Sequence, residues 1–526
     1  MDNETTPYGR RFLFIVTAAF VLLTIPFHLK PDNFVVDDGY FYLQIARNIA
    51  LGQGSTFNGV MPTNGYHPLW MLICVCAAYF TKVSTTLIQA AAAISDAFAL
   101  SSVYLFIYIC KISKIKGATA GIAVIVFMTT TLGIWRMLEA DLAFALQLVI
   151  LALLVRWKLQ GRRVTLARGL SLGCLIGLAL LARLDLVFFA LFVCIYAVWF
   201  LVEDGECRQR TSWAIKALPV AAACCLMVCP YLYWNYRSFG HIVPISGAIK
   251  SNLFRGIHLP LYCFPVIIAC LLNLAAFARR RRSPFAAIVL IVSGSALVHL
   301  GYSILFGNVA AWYLTTGYLA VAFCVTWLFD RFLAAVRSPV RYIAWSGLLA
   351  FLILGTLETL RLVSNFTYTR LMDGNVSFRV GYVEPKRALA EKLRHLLPAG
   401  SRIYVYDGPG GIAYYSGMSI IPTDGLVADY SYNTTLLADG VSKYMADEKI
   451  DYVIAPVVRD DQTYFSSDLD ARKVPGGEEL EIYAPLHHRS AGSFFVSDRD
   501  RLEEFATVVP NMERSFPEVA IWRVNH

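Results

Sequence analysis

Two carboxylates stand side by side at Asp37 and Asp38, directly before Gly39-Tyr-Phe-Tyr-Leu-Gln-Ile-Ala-Arg-Asn-Ile-Ala50. Phe41, Ile45 and Ile49, and again Leu43, Ala46 and Ala50, recur at helical spacing, which suits a helix lying on a membrane surface. A carboxylate at its start is favoured by the free N–H groups and the helix dipole. A capping aspartate with a solvated neighbour is therefore the plain structural reading of the pair. The chain continues through Ser55-Thr-Phe-Asn-Gly59 and Pro62-Thr-Asn-Gly-Tyr-His-Pro-Leu-Trp70, dense in hydroxyls, amides and aromatics. Such side chains hydrogen-bond to, and stack on, polyhydroxylated rings, so Tyr40, Asn64, Tyr66, His67 and Trp70 are candidate binding residues. A second acidic group, Glu139 and Asp141, follows Arg136; its plain reading is an ion pair at a membrane edge. Arg183, beside Asp185, together with Arg237 and Lys250, supplies cations. Each of these has an ordinary use against anionic lipid headgroups. Taken together, carboxylates and cations would surround one pocket.

The elements that hold these residues belong to a membrane protein. Of 526 residues, 57% are hydrophobic and only 16% charged, with mean hydropathy +0.55, whereas soluble domains carry about 25% charge. Apolar segments at 12–29, 86–110, 117–135, 142–157, 167–182, 186–203, 213–233, 259–278, 284–306, 311–329 and 342–362 predict about eleven spans. The polar clusters Arg10-Arg11, Lys111 to Lys116, Arg156 to Arg163, Arg208/Arg210, Arg279 to Arg282 and Arg331 to Arg341 are strongly basic and, by the positive-inside rule, cytoplasmic. The N-terminus is then inside and the C-terminus outside. No small-residue cleavage site follows the first segment, so it reads as an anchor rather than a signal peptide. Residues 68–82 are apolar but short; counting them as a span would reverse every later loop, so they read as an interfacial or re-entrant helix on the outer side. All twelve cysteines lie at or before Cys324, mostly in apolar segments, which excludes a disulfide scaffold. The net charge of +9 resides in membrane-flanking loops, and nothing points to nucleic acid.

After Arg361 the composition changes. Residues 363–526 alternate strand-like runs (Arg402–Tyr406, Tyr452–Val457, Ser493–Val496, Val519–Val524) with helix-like runs (Glu384–Leu397, Thr434–Ala446, Arg499–Phe505), which predicts a C-terminal extracytoplasmic α/β domain. Asp407-Gly-Pro-Gly-Gly411 lacks the Lys-Ser/Thr of a phosphate-binding loop and reads as a tight turn.

The combination of Asp37-Asp38-x-Tyr-x-Tyr-x-x-x-Ala-Arg-Asn48, Gly52-x-Gly-x-x-Phe-Asn-Gly59 and Thr63-Asn-Gly-Tyr-His-Pro-Leu-Trp70 resembles the first extracytoplasmic loop of GT-C glycosyltransferases. Within that superfamily it is most similar to lipid-phosphate arabinofuranosyltransferases. The resemblance implies a transmembrane catalytic domain over 1–362, with residues 30–85 as its first outer loop, and a periplasmic domain over 363–526. The setting would be a bacterial inner membrane. It implies inverting transfer of a sugar, arabinofuranose, from a polyprenyl-phosphate donor to a cell-envelope glycan or a glycoprotein such as pilin, with Asp37 or Asp38 as general base. Arg183, Arg237 and Lys250, and more weakly Arg136, would face the donor phosphate. Glu139 holds the place of a second-loop acid that in some members assists the acceptor or binds a divalent ion; Asp141, two residues on, qualifies equally. The resemblance calls for no organic cofactor and leaves a divalent metal open. A polymerase or ligase using a diphosphate-linked oligosaccharide, and a transporter, are the alternatives; a transporter is disfavoured because no internal repeat is evident.

Overall fold

The computed structural model describes residues 9–29, 31, 35–115, 117–131, 137–161, 165–203, 210–251, 259–279, 284–306, 311–336, 380–406, 409–458, 463–465, 469–505 and 519–525. The membrane half runs through α1 (Arg10–Leu29), α2 (Asp37–Ala50), α3 (Pro68–Phe80), α4 (Ser84–Ile112), α5 (Ala118–Val126), α6 (Ala140–Leu159), α7 (Leu166–Ala182), α8 (Val187–Glu203), α9 (Arg210–Phe239), α10 (Ile245–Ser251), α11 (Cys263–Arg279), α12 (Pro284–Phe306) and α13 (Thr315–Ala335). Among the described residues, six stretches are long and apolar enough to cross a membrane: α1, α4, α6, α13, Ala217–Phe239 of α9 and Phe285–Leu305 of α12. Shorter apolar helices lie at the sites of four further expected spans. The expected span 342–362 lies outside the described residues. The chain is a polytopic helical membrane protein.

Local sequence explains the packing. Gly169, Gly173 and Gly177 form a small-residue stripe along α7, and a Cβ on Gly173 would lie 2.2 Å from the Val220 carbonyl oxygen. That stripe lets α9 approach backbone to backbone, the usual basis of helix association in lipid. Helix α3 starts at Pro68, where a missing N–H costs nothing. It buries Trp70, Met71, Cys74, Ala77 and Ala78 against the protein and leaves Leu72, Tyr79 and Phe80 exposed.

The C-terminal region contains α14 (Val380–Leu396), β1 (Arg402–Val405), α15 (Pro409–Ser416), β2 (Ser419–Pro422), α16 (Tyr430–Asp439), α17 (Val441–Asp447), β3 (Tyr452–Pro456), β4 (Thr463–Phe465), β5 (Leu469–Val474), β6 (Gly477–Ala484), β7 (Arg489–Ser497), β8 (Arg501–Phe505) and β9 (Val519–Arg523). A five-stranded sheet of order β2-β1-β3-β9-β8 is parallel over its first three strands and antiparallel beyond; β4 to β7 form an antiparallel meander. Two sequence readings are corrected. Arg499–Phe505 is not helical: a 3-10 turn at Asp498–Asp500 leads into β8, which pairs with β9. So short a run cannot nucleate a stable helix, and pairing on a free strand edge satisfies its backbone instead. The single helix read over Thr434–Ala446 is broken at Gly440, whose φ of +79° ends α16.

Glu478, at the start of β6, is fully buried; its Oε1 accepts the Val458 N–H at 3.2 Å, while Oε2 has no partner among the described residues. Burial pushes its carboxyl up to about 7. Because the folded state keeps this proton after the unfolded chain has lost it, stability falls as pH rises from about 4.5 to about 7. Glu478→Gln, which keeps the acceptor without the charge, is expected to raise the unfolding midpoint at pH 8 by the equivalent of about 1–3 kcal/mol, and to leave it nearly unchanged at about pH 4, below both pKa values. Thermal unfolding of the full chain at both values checks this.

Candidate active site

The first loop folds onto α2 through its own amides. Asn48 Nδ2 donates to the carbonyls of Thr56 and Phe57 at 2.8 and 3.1 Å, and Phe41 packs edge-on against Phe57. Gly52 and Gly54 take φ of +80° and +73° to make the reversal. Farther along, Asn64 is fully buried: its Oδ1 accepts from the Ile245 N–H at 3.0 Å and its Nδ2 donates to Asn235 at 3.3 Å. Trp70 is equally buried and donates to the Met137 carbonyl at 3.1 Å. Tyr40 packs against Tyr414 and Tyr415. The structure therefore puts Tyr40, Asn64 and Trp70 into packing around the site, while Tyr66 and His67 border a cavity of about 460 Å³.

A buried charge cluster ties the loops together. Glu139, just before α6, accepts from Tyr42 Oη at 2.9 Å and from Arg183 Nη1 at 2.7 Å. Tyr42 Oη in turn accepts the His67 backbone N–H at 3.1 Å. Arg183, between α7 and α8 and only 1% exposed, holds Asp185 with two bonds of 3.0 and 2.6 Å and reaches the Trp312 carbonyl at 3.2 Å. His299 on α12 approaches Asp185 at 3.5 Å. Burial pushes the Glu139 carboxyl up, but His67, Arg183 and the Tyr42 hydroxyl pull it down further, so it is ionised. Burial also pushes Asp185 up, and Arg183 and His299 outweigh it by far. His67 is driven below the ordinary histidine value by burial, against the opposing pull of Glu139 at 3.7 Å, so its ring is neutral at pH 7. With Arg183 and Tyr42 on its two oxygens, Glu139 is an anchor for three segments. Among the described residues no three His, Cys, Asp or Glu side chains are grouped to hold a metal ion.

Asp38 and Lys250 form the other polar edge of the cavity, 3.3 Å apart and each about 30% exposed in its side chain. Burial pushes the Lys250 ammonium down, but Asp38 and Tyr313 more than offset it and keep the group charged. Asp37, by contrast, turns away and accepts the N–H groups of Gly410 and Gly411 at the start of α15. The segment around these glycines is thus a helix start from Pro409 onward, not a plain tight turn. Asp141 is buried on α6, accepts from Ser95 at 2.6 Å and does not border the cavity. Arg237 is exposed on α9, also away from it. Arg136 lies outside the described residues. His299, Trp312 and Tyr313 border the cavity and escaped the sequence reading. His299 carried a signal, since an ionisable residue within an apolar span is a functional candidate by default. A pocket lined by Asp38 and Lys250 on one side and by the paired Glu139, Arg183 and Asp185 on the other, with aromatics and hydroxyls between, is equipped to bind a polar, partly anionic molecule and remove a proton from it.

No protein-family model matches the chain, and no curated protein matches it. Solved structures do. The oligosaccharyltransferase of Archaeoglobus fulgidus, tethered by a disulfide to an acceptor peptide containing the NVT sequon, aligns with TM-score 0.53 and 13% identity over 85% of this chain and 69% of that one. ArnT from Cupriavidus metallidurans, bound to undecaprenyl phosphate, aligns with TM-score 0.50 and 12% identity over 86% and 97%. The mycobacterial arabinofuranosyltransferase AftD aligns with TM-score 0.45 and 14% identity over 98% and 41%. The chain shares its fold with the first two of these proteins.

Proposed function

We propose that the protein is an inverting glycosyltransferase that moves a sugar from a polyprenyl-phosphate donor to an acceptor hydroxyl outside the cytoplasm. The observation that carries this reading is the placement of Asp38 and Lys250 together on the wall of one cavity, in a fold shared with an enzyme solved with undecaprenyl phosphate. Asp38 takes the acceptor proton as attack on the anomeric carbon develops. The leaving group is a phosphate monoester, stable as an anion, so no acid is needed to protonate it. Direct displacement inverts the centre and requires no covalent glycosyl-enzyme. Lys250 meets the charge growing on the phosphate. Glu139 and Arg183 hold the walls. On the first-loop resemblance the sugar is arabinofuranose and the acceptor a cell-envelope glycan or pilin. The same reading puts the cavity and residues 363–526 on the periplasmic side of a bacterial inner membrane, with the N-terminus in the cytoplasm.

The test is turnover by the full chain in lipid nanodiscs, offered polyprenyl-monophosphate arabinose and a polyprenyl-diphosphate oligosaccharide in competition. Consumption of the monophosphate alone is expected. Consumption of the diphosphate alone would instead favour a polymerase or ligase that uses lipid-linked oligosaccharide. Lys250→Ala is expected to lower turnover about 10–100-fold, through loss of a charge-assisted contact that strengthens as the bond breaks. Arg237→Ala is expected to stay within about twofold, as a headgroup contact would.

A further inference from the structure

Adjacent residues on a helix project about 100° apart, and Asp37 and Asp38 accordingly face different surroundings. Helix α15 lies along α2 and is gripped at both ends. At its start, the Gly410 and Gly411 N–H groups donate to the two Asp37 oxygens at 3.0 and 3.3 Å. Near its end, the Tyr414 carbonyl accepts from Arg47 Nη1 at 3.1 Å, and the Arg47 guanidinium lies 4.9 Å from the Tyr414 ring centre. The Tyr414 hydroxyl donates to the Ser84 carbonyl at 2.7 Å. An acid at the helix start and a cation at its last carbonyls both match the helix dipole. The approach is close: a Cβ on Gly410 would lie 2.6 Å from the Asp37 carbonyl oxygen and 3.1 Å from its carboxyl carbon. A second contact runs in parallel. Thr63 Oγ1 donates to the Ala428 carbonyl at 2.8 Å, and a Cβ on Gly65 would meet the Leu426 carbonyl oxygen at 1.9 Å.

We propose that Asp37 is a positioning residue: its capture by the start of α15 sets the rotation of α2, and so delivers Asp38 into the cavity beside Lys250. The C-terminal region is then a working part of the site, with the glycine pair and Asp37 as its latch. This rests on the reading of Asp38 as the base. The adjacent carboxylates divide the labour, one binding the protein to itself and the other meeting substrate. Such a division needs a residue with two acceptor oxygens at the first position and a glycine opposite it. Both are present.

The test uses the full chain in nanodiscs with polyprenyl-monophosphate arabinose. Asp37→Asn, which is isosteric, and Gly410→Ala, which acts from the other side of the contact, are each expected to lower kcat about 10–100-fold and to leave the donor KM within about twofold, as a displaced reacting group does. The double variant is expected to be no slower than the worse single one, because both remove the same interaction. Asp37→Glu, which restores the charge, is expected to recover part of kcat. Should Gly410→Ala fail to fold, the kcat–KM split of Asp37→Asn and the rescue by Asp37→Glu decide alone. Full activity in Asp37→Asn alongside an inactive Asp38→Asn would overturn the latch and leave the base in place. An inactive Asp37→Asn alongside an active Asp38→Asn would overturn both.

Discussion

Asp38→Asn is expected to give a folded protein that still binds its lipid donor but transfers sugar about 10²–10⁴-fold more slowly, the usual loss when a positioned general base is removed. The substitution keeps size and keeps an oxygen to accept from Lys250, so the 3.3 Å contact across the cavity edge has a neutral counterpart. What it removes is the capacity to take a proton. Asp38 is about 30% exposed in its side chain and pairs with Lys250, itself 28% exposed, so the unfolding midpoint should move little. Steady-state rates and equilibrium binding of the donor, measured on the same preparation, separate the two effects. Near-normal turnover in Asp38→Asn, and again in the Asp37→Asn/Asp38→Asn double variant, would remove the catalytic assignment altogether.

Arg183→Met is expected to act mainly on stability. The guanidinium is 1% exposed and binds Glu139 and Asp185, both carboxylates with pKa values held down by it. Removing it leaves two carboxylates in a buried site with their chief countercharge gone, a change that costs about 3–5 kcal/mol. That is a large share of the roughly 5–15 kcal/mol that holds a typical fold. Adding Asp185→Asn should recover part of the loss by removing one orphaned charge. Thermal unfolding in detergent reads both variants. An unchanged midpoint with a collapse in turnover would instead make Arg183 the donor-phosphate ligand that the sequence suggested.

The sequence was readable where one residue type has one physical use. Pro68 marks the start of α3, and the short apolar run after it gives a helix of 13 residues, as its length implied. The loop 55–67 advertised its polar density, yet density did not separate Tyr66 and His67 on the cavity wall from Asn64 and Trp70 in the packing. That distinction depends on partners such as Asn235 and Met137, which no local pattern reveals. Glu139 and Asp141 are likewise equivalent by spacing. They part only because Tyr42 and Arg183 reach one and Ser95 the other. In the C-terminal region, alternation located β1, β3 and β9, while the edge strand β8 was misread because a short segment takes the structure its neighbour offers.

The contact between Asp37 and Gly410 joins residues 373 positions apart. Ribosomes add about 5–20 residues per second, so on the order of 20–75 s separates the synthesis of one from that of the other across this interval. Through that time α2 is already in place in the chain order, yet it lacks the surface formed by α15 and the Leu426 loop. A nascent chain threading into the bilayer thus carries its acidic pair without the frame that aims it. On the latch proposal, the acidic pair would be aimed only once residues 409–428 have been made, and a product stalled before them would be inactive.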